Sequence, residues 1–175
     1  CTNYEEAAEK LRKGMYIMLR EGSSEKNLEA LLPVVTDTTF RQCMLVVDDR
    51  SAADLEAEGD VDHVVRRAIE LGMHPIRAIQ LATLCPARYF RLFDRGFIGP
   101  GRKADVISVH DLTEFRIDNV YHDGTLVASE GRPRFTSPQI GGRLMDTVRT
   151  GGVTLESLHM PGNDGEFPVI GLIPG

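Results

Sequence analysis

The chain has 175 residues, with 42% apolar and 26% charged side chains and a formal net charge of −6. Those values fit a globular protein large enough for a real core, and they exclude a strongly basic nucleic-acid footprint. No run approaches the roughly 18 consecutive apolar residues of a membrane span, and the first residues carry no signal-peptide pattern, so a cytoplasmic location is expected.

Asn3 or Thr2 can cap a helix over Tyr4 to Lys13, with Glu5 and Glu6 in its first turn, Lys10, Arg12 and Lys13 in its last, and Gly14 after it. Met15 to Leu19 reads as a buried strand ending in Arg20-Glu21-Gly22-Ser23. Ser23 or Ser24 can cap a helix from Glu25 to about Leu32, which Pro33 disturbs. Cys43 to Val47 is a second buried strand, and Asp48, Asp49 and Arg50 follow it. Helix–strand alternation of this kind signals a parallel α/β sheet or barrel, in which chemistry sits at the carboxyl ends of the strands. Arg20-Glu21 and Asp48-Asp49 would then share one rim. Two adjacent acids need a positive partner, whether a metal ion, an arginine or a helix N-terminus. Two readings of the pair therefore stand: a functional carboxylate, or an Asp cap on the helix that begins near Ala52.

The next stretch reads as helical. Helices are expected over Ala52–Glu58, over Val61–Leu71 with Asp60 as cap, from Pro75 onward, and from Pro86 to about Leu92. His63 reads as a structural helix residue or a partner of Asp60. At Gly96 the composition shifts, which places a domain boundary between residues 1–95 and 96–175. Strands are expected at Asp105–Val109, Phe115–Tyr121 and Thr125–Ala128, the last two joined by an Asp123-Gly124 hairpin. Glu130 to Gly142 reads as loop, Thr147 to His159 as a further strand or two, and Phe167 to Ile173 as a final strand. Gly99-Pro100-Gly101-Arg102-Lys103 lacks the spacing of a phosphate loop and reads as a turn. Three cysteines without a CxxC pair fit a reducing compartment. The five histidines form no HxH or HxxxH pair, so the chain lacks a self-sufficient set of metal ligands.

Several segments together resemble one family. They are Glu5-Glu6-Ala7 through Lys13-Gly14-Met15, Arg20-Glu21-Gly22-Ser23 with Lys26-Asn27-Leu28, Asp48-Asp49-Arg50, Asp62-His63 with Arg66-Arg67-Ala68-Ile69, Ala78 through Thr83, Pro86 through Phe90, and Gly99-Pro100-Gly101 with Ala104-Asp105. Over roughly residues 1 to 130 the chain resembles the C-terminal part of adenine deaminases of the amidohydrolase superfamily. Ser51, where the family often has His, and Cys85, where Asn is common, depart from the pattern.

The resemblance implies an α/β fold: the last two strands and helices of a metal-dependent hydrolase (β/α)8 barrel, followed by part of a small β-sandwich domain. A complete barrel takes about 250 residues, so the chain is expected to be inactive alone and to need the missing N-terminal barrel strands. The implied reaction is hydrolytic deamination of adenine to hypoxanthine and ammonia. Asp48 is the implied metal ligand and proton shuttle. Arg20, Glu21, Ser23 and Asp49 are the implied substrate-binding residues at the rim. The implied cofactor is a divalent metal, manganese or iron, with zinc a further option. The implied partners are a purine base, the rest of the barrel and, when intact, a second copy in a homo-oligomer, with no nucleic acid or membrane. Two alternatives stand beside this reading: an amidohydrolase acting on another cyclic amide or amidine, and a non-catalytic piece that folds on a partner.

Overall fold

Asn3 starts the first helix, α1 (Tyr4–Arg12), by accepting a hydrogen bond from the Glu6 amide at 2.9 Å. Glu5 and Glu6 lie at its positive end and Lys10 and Arg12 at its negative end, as the macrodipole favours. Ala7 and Leu11, four residues apart, make its buried stripe. Gly14, at φ +81°, turns the chain out of the helix toward β1 (Ile17–Arg20). This computed structural model describes residues 1–137, 147–149, 151–160, 162, 165–166 and 168–171.

β1 lies parallel to β2 (Cys43–Val46), with Ile17 opposite Cys43 and Arg20 opposite Val46. The register puts Ile17 and Leu19 on one face with Cys43 and Leu45, and all four are buried. The connection holds α2 (Leu28–Leu31) and a 3-10 turn over Leu32–Val34 that accommodates Pro33. After β2 come α3 (Ala52–Ala57), α4 (Val61–Glu70), α5 (Pro75–Ala82) and α6 (Leu84–Tyr89). The last three pack against β2, and Val64, Val65, Ala68, Ala78, Leu81 and Cys85 complete the core. Full burial contributes about 1.5–3 kcal/mol for each large aliphatic side chain, so this layer fixes where the strands end.

An antiparallel sheet follows, in the order β3 (Val106–Val109), β4 (Ile117–His122), β5 (Thr125–Ser129) and β6 (Arg132–Pro133). Asp123 and Gly124 both have positive φ, as a tight two-residue hairpin requires. Phe115, just before β4, is buried in the same core as the helices. Cys1–Phe135 form one compact unit, and a second lies within Thr136–Ile173. In the second, Glu156–Leu158 form a 3-10 turn.

The structure supports the expected α/β class and corrects several local readings. The helix expected from Glu25 begins at Leu28, because Lys26 pairs in an antiparallel bridge with Glu21 and Asn27 turns back to Arg20. Neither Ser23 nor Ser24 caps it. Ser51, not an aspartate, caps α3 by accepting from the Asp54 amide. Asp60 precedes α4 without a side-chain cap bond. Pro86 lies inside α6 rather than at its start. The expected loop after Glu130 contains β6. Among the described residues of 147–159 there is no strand. The strand expected at Phe167–Ile173 falls partly outside the described residues, and Val169 to Gly171 within it are not in a strand.

Candidate active-site rim

The parallel pairing brings the carboxyl ends of β1 and β2 side by side, so Arg20 and Asp48 meet. Arg20 Nη1 donates to Asp48 Oδ2 at 3.2 Å, and Arg20 Nη2 donates to Glu25 Oε2 at 2.7 Å. The Arg20 backbone is held on both sides by buried Asn27: its amide donates to Asn27 Oδ1 and its carbonyl accepts from the Asn27 amide. Arg20 Nε is buried and has no hydrogen-bond partner among the described residues.

Asp48 has φ +58°, a left-handed conformation that Asp tolerates better than most residues. That turn separates the two acids. Asp48 faces Arg20, whereas Asp49 accepts from the Ser24 amide (3.0 Å), the Ser24 hydroxyl and the Glu25 amide (3.3 Å). Those bonds, led by the Ser24 hydroxyl, pull its carboxyl down to about 2 against a small opposing effect of burial. A Cβ on Gly22 would fall 1.8 Å from Asp49 Oδ1 and 3.0 Å from the Val47 carbonyl, so a side chain there would have to displace the Asp49 carboxylate.

Glu21, one residue beyond Arg20, is buried, and its carboxylate pairs with Lys26 at 3.7 Å. It borders a surface depression of about 610 Å³ with Lys26, Leu28, His63 and Arg67. The Ser23 hydroxyl donates to Asp54 and accepts from the Ser51 amide at 2.8 Å, joining the loop after β1 to the start of α3. The Arg50 side chain is 3% exposed; it donates to the carbonyls of Gly59 and Glu21 and pairs with Glu58. His63 lies 3.6 Å from Glu58, and its pKa is held down by burial and by Arg50. The two rim loops are therefore tied at three points, through Asp49, Ser23 and Arg50.

Sequence reasoning missed Glu25, Asn27 and Asp54 as parts of this rim. Asn27 was present in the Lys26-Asn27-Leu28 segment, but nothing in its spacing announces that it clamps Arg20. Among the described residues no cluster of three or more His, Cys, Asp or Glu side chains could enclose a metal ion. Asp48 alone presents a strand-end carboxylate whose only hydrogen bond among those residues is with Arg20. It fits one place in a ligand set, and the described residues do not supply the others there. No helix among the described residues is long and apolar enough to cross a membrane.

The chain is 50% identical over 177 residues to an adenine deaminase of Dehalococcoides mccartyi, and 44% identical over 175 residues to adenine deaminase 2 of Carboxydothermus hydrogenoformans. The matches cover 100% and 99% of this chain but 31% of each relative, so the chain spans about a third of their length. Its fold is similar to that of a β-aspartyl dipeptidase from Fervidobacterium islandicum AW-1, with a TM-score of 0.62 at 22% identity over 78% of this chain and 37% of that one. At that identity the likeness concerns the fold alone. The amidohydrolase family profile matches residues 2–127, and the chain belongs to that family.

Proposed function

We propose that the chain is part of an adenine deaminase, carrying the last two strands and helices of its barrel and part of its β-sandwich domain. Similarity along the whole chain to proteins of that name supports this reading. So does the parallel β1–β2 pair, since each strand has a single neighbour among the described residues, as two strands cut from a larger parallel sheet would. The observation that carries the site is Asp48, turned out of the end of β2 and held beside Arg20.

Asp48 would hold a divalent metal, manganese, iron or zinc, together with ligands from the rest of the protein. Such a metal, when bound, lowers the pKa of water enough to make a nucleophile at neutral pH. The carboxylate of Asp48 takes the proton of the attacking water and delivers it to the amino nitrogen leaving C6 of adenine. Adenine and water thus give hypoxanthine and ammonia. Arg20 keeps Asp48 oriented at the rim that meets the base. Glu21 borders the base from the rim, and Ser23 and Asp49 shape that rim.

The test is a substrate panel on the intact protein, with adenine beside cyclic ureides and β-aspartyl dipeptides. Ammonia release from adenine, abolished by a chelator and restored by manganese or iron, is the expected result. Turnover of a ureide or dipeptide with none of adenine would overturn the assignment.

A further inference from the structure

We propose that Asp49 is a positioning residue, which sets the Arg20–Asp48 contact by holding the Gly22–Glu25 turn. The inference rests on the assignment of Asp48 above. The other roles open to Asp49 are occupied or unsupported: Ser51 caps α3, and the Asp49 carboxylate is engaged by three donors of one turn, 24 and 25 residues away. That turn is tight, with the Gly22 amide donating to the Glu25 carbonyl at 2.9 Å and Glu21 bridged to Lys26. Asp49 Oδ1 sits where a Gly22 side chain would be. Fixing the Glu25 amide fixes where its carboxylate emerges, and that carboxylate takes one nitrogen of Arg20 at 2.7 Å while the other reaches Asp48 at 3.2 Å. A continuous path therefore runs from Asp49 through Glu25 and Arg20 to Asp48. Its first link includes two backbone amides beside the Ser24 hydroxyl, so it specifies the turn and not merely a charge. Supporting partners of this kind typically change metal affinity or activity by about 10- to 100-fold.

The experiment compares Asp49→Ala, Glu25→Gln and their double variant in the full-length metal-loaded protein. Three quantities are read: kcat and KM for adenine, manganese retained against a chelator, and amide hydrogen exchange at Ser24 and Glu25. Each single variant is expected to lower kcat about 10- to 100-fold with KM nearly unchanged. The double variant is expected to lose no more than the worse single, because both lie on one path. Exchange at Ser24 and Glu25 should accelerate in Asp49→Ala, and manganese retention should fall in both singles. Gly22→Ala, which displaces Asp49 sterically, should mimic Asp49→Ala. If Asp49→Ala does not fold, Asp49→Asn, which keeps one acceptor oxygen, and Ser24→Ala carry the comparison, each with a smaller loss of the same kind. A raised KM at unchanged kcat, or losses that multiply in the double variant, would overturn the proposal by making Asp49 an independent substrate contact. If the intact protein turns over no adenine, the functional assignment fails, while exchange and manganese retention still decide the role of Asp49.

Discussion

Arg20 and Asp48, 28 residues apart in sequence, meet at 3.2 Å because two parallel strands end in register. Both side chains are partly exposed, at 28% and 44%, so the pair adds at most about 1 kcal/mol to stability. Its value lies in orientation. The guanidinium serves Glu25 and Asp48 from two nitrogens in one plane, a geometry that a lysine ammonium does not reproduce. Arg20→Lys in the intact protein is expected to lower kcat for adenine about tenfold or more while leaving the thermal midpoint nearly unchanged. Steady-state kinetics beside calorimetry check this. A large fall in midpoint with normal kinetics would make Arg20 a structural residue only.

The strand that ends at the rim was legible because Cys43 to Val47 is an unbroken apolar run, and the helices after it because their apolar positions follow a helical period. That Asp48 faces Arg20 while Asp49 faces the Ser24–Glu25 turn was not legible in the residues themselves. It depends on the sign of φ at Asp48, and an aspartate suits either a ligand or a cap. The helix expected from Glu25 failed for a related reason. Glu25 and Lys26 are good helix formers, but tertiary partners, Asp49 for the Glu25 amide and Glu21 for Lys26, outweigh that propensity. Gly22 was legible only as part of the Arg20–Ser23 strand end, whereas the structure fills the room beside it with the Asp49 carboxylate.

The Ser23–Asp54 strut should show in acid. The Ser23 and Ser51 hydroxyls lower the pKa of Asp54 against a small effect of burial. A carboxyl lowered in the folded state contributes stability that is complete above its unfolded value, near about pH 4, and lost as pH falls through the folded value. The difference in urea midpoint between the wild type and Asp54→Asn should therefore stay constant from neutral pH down to about pH 5 and shrink below about pH 4. A difference that persists undiminished in strong acid would show that the carboxylate charge plays no part.

Cys43 and Cys85 are buried core residues. Burial, with a smaller effect from Cys85, pushes the Cys43 thiol up to about 12, and burial also raises Cys85. At pH 8 neither should form appreciable thiolate, so neither should react with a thiol-directed reagent until the protein unfolds. Mass mapping of modified peptides reads this directly. Rapid labelling of Cys43 in the native protein would contradict its place in the core.

Two parallel strands make a poor sheet alone. β1 and β2 leave their outer edges without a strand neighbour among the described residues, and Met15, Tyr16 and Met18 are 50%, 46% and 43% exposed beside them. Expressed alone, residues 1–175 should self-associate through those edges, and co-expression with the remainder of the barrel should suppress it. Size-exclusion chromatography with light scattering checks this. A monodisperse monomer that unfolds cooperatively would count against the barrel assignment.

Asp48→Asn in the intact protein tests the central claim most directly, because it changes one carboxylate oxygen and little else. The expected result is a fall in kcat for adenine of about 10²- to 10⁴-fold, the usual worth of a positioned proton carrier, together with loss of bound divalent metal and an unchanged fold by circular dichroism. Adenine turnover and metal content equal to those of the wild type would remove Asp48 from the site.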